Sequence, residues 1–190
     1  MDQRKYDACV IAASAGGVTA IIEVLSALDQ SIGLSLIALL HLGEEDRGLA
    51  RVLGARCSLP VQTAEAGFVA EPGRVWLAPA GYHLLVEKDR RFTLSLDEKV
   101  CHVRPSADVL FASAADVWHE RLIGVVLTGS NEDGAQGLRE IRSRKGLGIV
   151  QSPQDAESPQ MPAEAIRVAG ADHILNVSAI GPLLNQLYSG

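Results

Sequence analysis

The chain reads as an α/β protein: a doubly wound, mostly parallel sheet with helices on both faces and a small antiparallel hairpin. Three observations predict this. Short apolar runs recur along the sequence, each followed by apolar residues at helical spacing. The runs are continuously apolar rather than alternating, as strands covered on both faces are. Residues 75–96 differ, because "RVWLAP", "YHLLVEK" and "RFTLSL" follow one another with no helix between them, which marks a hairpin.

The elements follow in order. Residues 8–13 are the first run, and Val18, Ile21, Ile22, Leu25 and Leu28 then recur at i, i+3, i+4, i+7, one face of a helix. Residues 34–40 are a second strand, 49–56 a shorter helical segment, and 60–64 a weaker alternating strand that ends near Gly67. The three hairpin-region segments are broken at Pro79-Ala80-Gly81 and at Asp89-Arg90. Ser106 caps a helix with the face Leu110, Phe111, Ala114, Val117 and Trp118, and Arg104-Pro105 sets its entry. Residues 122–127 are a buried strand with a helix behind it over 135–144, and 148–151 a brief strand before the polar loop "SPQDAESPQMP". A helix over 163–169 stops at Gly170, expected in the left-handed conformation of a C-terminal cap. A strand over 173–177 and a helix reaching Tyr188 close the chain.

With 190 residues, residues 1–190 are expected to form one domain around a single core. Hydrophobic residues at 47% and charged residues at 21% exclude a disordered chain. A net charge of -6 with no basic tract argues against nucleic acid. Cys9, Cys57 and Cys101 are odd in number and lack a C-x-x-C pair, so neither a disulfide framework nor a zinc site follows, and reduced thiols in a cytoplasm are expected. Arg4 and Lys5, the run at 8–13 and "ASA" imitate a signal peptide, but the run is too short and Asp7 interrupts it. No run reaches the roughly 18 apolar residues of a membrane helix, so the protein is not expected to be membrane-embedded.

In an open parallel sheet, reacting groups collect beyond the carboxyl ends of the strands. Ser14 follows the first strand, His41 follows the second in "LIALLHLG", and Asp133 lies in the loop after the strand at 122–127. A serine hydroxyl becomes a nucleophile when an imidazole takes its proton, and a carboxylate then fixes the imidazole's tautomer and supports its charge. Ser14, His41 and Asp133 have the types for those roles. "AASAG" is close to the G-x-S-x-G strand-to-helix elbow, with Ala12 in place of the first glycine. The helix just beyond would aim the N–H groups of Ala15 to Gly17 at a developing oxyanion. A Gly-Gly turn before a helix also binds phosphate, so the turn alone leaves phosphate binding and catalysis open. It is neither G-x-G-x-x-G nor a P-loop with its Lys, and no cofactor is expected. His41 with Glu44, Glu45 and Asp46 matches no usual metal spacing and reads as a solvated acidic loop. His83, His102, His119 and His173 read as surface or internally satisfied histidines, and Arg104 as a helix-entry arginine or a carboxylate binder across the cleft.

"ASAGGVTAI", "LLHL", "PGRVWLAP", "HLLVE", "RPSADVLFASAA", "GVVLTGSNEDGAQGLREIR" and "MPAEAI", in order over residues 7–180, resemble the catalytic domain of the CheB chemotaxis protein-glutamate methylesterases. The resemblance implies a Ser-His-Asp hydrolase that removes methyl groups from glutamyl methyl esters on chemoreceptor helices and often deamidates glutamines. It implies Ser14 as nucleophile, His41 as base and Asp133 as orienting acid, and puts Ser130 where a site-lining residue usually stands; with Ala15, Gly16 and Arg104 from the reading above, these are the candidate oxyanion- and substrate-lining residues. The chain departs from the family pattern at Leu40 and "LGEEDRG", where a Gln and a "PPGF" stretch are usual, and this makes the rim more acidic. It departs again in "TGSNEDG" against "TGMGxDG", with Ser130 in place of a Met and Asn131 in place of a Gly. The altered loops raise the alternative of a catalytically weakened module that binds receptors or signalling partners. Nothing in these residues matches the receiver domain of the chemotaxis enzymes, so the chain is expected to be either a free-standing relative or an excised domain, with Met1 and its short polar lead slightly favouring the former; in a free-standing protein, control would come from a partner in trans.

Overall fold

A computed structural model of the protein describes residues 5–41 and 48–189. Apolar sequence runs become β1 (Ala8–Ala13) and β2 (Ser35–Leu40), every residue of both being buried. They are joined by α1 (Gly17–Ser26), which turns Ile21, Val24 and Leu25 inward. After α2 (Leu49–Gly54) come β3 (Val61–Thr63) and β4 (Arg74–Leu77), then β5 (His83–Val86) and β6 (Phe92–Ser95). The second half runs α3 (Ala107–Trp118), β7 (Leu122–Val126), α4 (Ala135–Ser143), β8 (Leu147–Gln151), α5 (Gln160–Ala169), β9 (His173–Leu175) and α6 (Val177–Ser189).

The main sheet has seven strands in the order β3-β4-β2-β1-β7-β8-β9, and every pair in it is parallel. Strand periodicity of two splits its side chains between two cores. Cys9, Ile11, Leu36, Ala38, Ile123 and Val125 meet α1 and α6 on one face. Val10, Ala12, Ile37, Leu39 and Val126 meet α3, α4 and α5 on the other. The connection leaving β1 runs toward β2 and that leaving β7 runs toward β8, on opposite faces, so the chain diverges above the β1–β7 boundary. Such a reversal opens a crevice at the carboxyl ends of the strands.

Three expectations needed correction. "RVWL" joins the parallel sheet as β4, and among the described strands β5 and β6 alone pair antiparallel, with Leu84, Val86 and Phe92 packed into the core beside α3 and Trp76. The local pattern of short strands does not reveal that β4 has a parallel place waiting beside β2. Second, α5 begins at Gln160, inside the polar loop, because Pro162 lies in its first turn, where no N–H is needed. Third, Gly170 ends that helix at φ 68° and ψ -177°, a Gly-only extended conformation rather than the left-handed helical one.

Candidate active site

The site is assembled by strand register. His41 N donates to the Ala13 carbonyl at 3.1 Å and Ser14 N to the Thr128 carbonyl at 2.9 Å, so the residues just past β2, β1 and β7 stand side by side. Ala13 is paired with Leu40, which sets Ser14 beside His41 on strands roughly 4.8 Å apart. Two residues earlier, Ala12 and Leu39 face α3 and α4, and Ser14 and His41 share that parity.

Asp133 comes to the same side from the loop between β7 and α4. Its Oδ2 lies 2.9 Å from His41 Nε2, the His41 side chain being 8% exposed and that of Asp133 fully covered. A carboxylate only accepts, so Nε2 donates. Asp133 Oδ1 also accepts from Ser106 Oγ at 2.7 Å and from the Asp108 amide at 3.0 Å, and Oδ2 accepts from the Ala107 amide. The carboxylate therefore caps α3, where the helix dipole favours negative charge. Burial pushes the Asp133 carboxyl up, and the bonds from His41, Ala107, Asp108 and Ser106 outweigh it, holding it below its ordinary range.

The capping is reciprocal. Gly134 precedes α4 without a side-chain cap, and Asp108, in the first turn of α3, supplies one by accepting from Gly134 N at 3.0 Å and Gly137 N at 2.7 Å. Burial, with the Asp133 charge adding, raises the Asp108 carboxyl to about 6 against those backbone donors. Behind Ser106, buried His83 accepts from Ser106 N at 3.1 Å on Nδ1 and donates from Nε2 to the Glu98 carbonyl at 2.9 Å, so it is an internally satisfied histidine. Cys101, Asp108 and Asp133 bring possible ligand atoms within 4.8 Å of one another. Their chemistry fits hydrogen bonding better than an ion: both carboxylates accept from backbone amides, and burial raises the Cys101 thiol to about 11.

The turn after Ser14 answers to close packing. Gly16 has φ 73°, and a Cβ there would lie 2.8 Å from Glu157 Oε2, while one on Gly17 would strike the Leu40 side chain. Thr128 Oγ1 donates to the Ala15 carbonyl at 2.9 Å and pins the turn to β7. Among the described residues, no hydrogen bond uses the N–H of Ala15 or Gly16, which leaves two donors at the start of α1. Glu157 against the turn disfavours a phosphate there. Ser130 is exposed and lines an open depression with Glu157, Ser158, Pro159 and Gln160. Arg104 Nη1 donates to the carbonyls of Leu96 and Asp97 at 2.9 and 3.1 Å, tying the loop after β6 to the entry of α3. The acidic loop of Glu44, Glu45 and Asp46 lies outside the described residues.

Sequence reasoning did not assign the parts that four residues play. Ser106 reads as a plain helix cap and Asn131 only as a departure from the family's loop pattern, while Asp108 and Glu157 carry no signal of their own. Two helix starts, "RPSAD" and "NEDGA", were the available signal, but only the packing of α3 against α4 brings them together.

The family model for CheB methylesterase matches residues 9–184. A Leptospira interrogans relative, provisionally assigned as a protein-glutamate methylesterase/protein-glutamine glutaminase, is 41% identical over 183 residues, covering 96% of this chain and 95% of its own length. Protein-glutamate methylesterase FrzG of Myxococcus xanthus is 37% identical over 182 residues, 95% of this chain and 54% of that protein. The crystal structure of the Thermotoga maritima CheB methylesterase catalytic domain superposes with a TM-score of 0.92 at 27% identity, covering 96% and 98% of the two chains.

Proposed function

The chain belongs to the CheB methylesterase family, and we propose that it is a serine hydrolase that demethylates glutamyl methyl esters on chemoreceptor helices and deamidates receptor glutamines, with residues 1–190 as one catalytic domain. The observation that carries this is the 2.9 Å pair of His41 Nε2 with a fully covered Asp133 carboxylate, at the lip where β1 ends one residue before Ser14.

Nε2 faces the carboxylate, so Nδ1 is the base. Ser14 Oγ attacks the ester carbonyl carbon while its proton passes to Nδ1, and Asp133 supports the resulting imidazolium. The N–H groups of Ala15 and Gly16 and the positive end of α1 stabilise the oxyanion. Its collapse expels methanol, which takes the proton from Nδ1 and leaves a glutamyl ester on Ser14. Water then attacks with the same base, releasing glutamate and restoring the serine. With a glutamine side chain the leaving group is ammonia. Ser130 and Glu157 line an open depression, Glu157 lying against the turn after Ser14, and no helix among the described residues is long and apolar enough to cross a membrane.

The test is incubation with a chemoreceptor fragment carrying labelled methyl esters. Volatile label is expected as methanol, and receptor binding by folded protein with no methanol above a protein-free control would refute the hydrolase.

A further inference from the structure

Asn131 touches both members of the His41–Asp133 pair. Its Oδ1 accepts from the Asp133 amide at 2.9 Å, and because a backbone N–H can only donate, the orientation of the Asn131 amide is fixed. Nδ2 is then the atom 3.1 Å from His41 Nδ1, and Nδ1 must accept. The ring therefore carries its proton on Nε2 and gives it to Asp133. Nδ1 has one in-plane lone pair. That lone pair has to receive the Ser14 proton, yet Asn131 occupies it, and Ser14 Oγ makes no hydrogen bond among the described residues. An imidazolium would set Nδ1–H against the Asn131 NH2 group, donor on donor, so this contact cannot survive protonation of the ring.

We infer that Asn131 is a positioning residue that latches His41 in its neutral, Nε2-protonated form in the resting protein and must swing away when substrate enters. This rests on the Ser14–His41–Asp133 hydrolase proposed above. The latch has two effects of opposite sign: it holds the tautomer that catalysis requires, and it adds one hydrogen bond that must break on the way to the transition state. Asp133 alone already fixes the tautomer through Nε2, so the second effect dominates when Asn131 is removed. A net hydrogen bond corresponds to a rate factor of roughly 2 to 10.

An organic fluorophosphonate reads the nucleophile without a receptor: Ser14 Oγ bonds to phosphorus, fluoride leaves, and the serine proton passes to His41. Asn131→Ala is expected to be labelled on Ser14 about 2 to 10 times faster than wild type at neutral pH. Asn131→Asp keeps the shape but offers an acceptor that favours the protonated ring. Its labelling is expected to be slower than that of Asn131→Ala, with a rate–pH curve displaced to higher pH. Equal or slower labelling of a natively melting Asn131→Ala overturns the latch. Should that variant melt early, nitrogen NMR of the wild-type His41 ring decides: a protonated Nε2 with a hydrogen-bonded, unprotonated Nδ1 is expected, and a neutral ring protonated on Nδ1 overturns the proposal. If Ser14 is labelled in no form and methyl esters are not cleaved, the hydrolase itself fails, while the NMR signal still tests the latch.

Discussion

Asp133→Asn keeps the shape of the side chain and turns one acceptor into a donor. In the wild type each carboxylate oxygen receives two donors, Ser106 Oγ and the Asp108 amide on Oδ1, His41 Nε2 and the Ala107 amide on Oδ2. Whichever way the new amide is turned, its NH2 group meets a backbone N–H, that of Asp108 on one side or Ala107 on the other. The Ser106 hydroxyl can rotate to accept, but the backbone amides cannot. One buried N–H left unsatisfied costs about 1–3 kcal/mol, and loss of charge assistance in the remaining bonds about as much again. The sum, roughly 3–5 kcal/mol, is the usual cost of breaking a buried charged contact. At about 2–4 °C per kcal/mol for a chain of this size, the melting temperature falls by about 6–20 °C. Activity suffers separately, because the ring loses the acceptor that holds its proton on Nε2 and keeps Nδ1 unprotonated; removal of the orienting charge in such triads costs about 10⁴-fold in kcat. Thermal melting and methanol release read the two effects. An Asp133→Asn protein that melts within about 2 °C of wild type and retains its methylesterase rate would refute the reasoning.

Ser106→Ala removes the cap on Val109 N and a donor to Asp133, and is expected to cost about 1–2 kcal/mol in urea unfolding with a several-fold loss of kcat. Gly16→Ala puts a Cβ on a residue at φ 73° and against Glu157, so a loss of about 1 kcal/mol or more in thermal melting is expected, with slower turnover from the displaced Ala15 and Gly16 amides. Asp108 titrates at about 6 in the folded protein against a reference value of 3.8. The folded state binds that proton more tightly, so the stabilisation is fully present below about 3.8 and is lost as pH rises through about 6. Urea unfolding across that window should show the wild type losing on the order of 1 kcal/mol relative to Asp108→Asn, with solvent screening of its exposed edge counted. Asp133, held below its ordinary value, acts in the opposite sense and withdraws stability only as the solution becomes more acidic still.

Much of the sheet was legible because fully buried parallel strands read as unbroken apolar runs, as in β1, β2 and β7. Ser14 and His41 could be picked out for a related reason: each is the first polar residue after such a run, and parallel strands end on one edge. β4 was misplaced because four residues carry no information about which strand they pair with. The roles of Ser106 and Asp108 lay beyond local pattern, since they arise from two helix N-termini meeting across sequence separations of about 25 residues, and that of Asn131 depends on the loop carrying it to His41, 90 residues away in sequence. The polarity of the His41 ring, with Nε2 rather than Nδ1 on the carboxylate, depends on the side from which Asp133 approaches, which is a property of the packed loop.

The most direct measurement compares methanol release from one methylated chemoreceptor fragment by the wild type and by Ser14→Ala, each shown to melt at the same temperature. Loss of the hydroxyl is predicted to lower the rate by about 10³-fold or more, since no other group can carry the acyl intermediate. A Ser14→Ala protein that still releases methanol within tenfold of the wild-type rate would contradict the account.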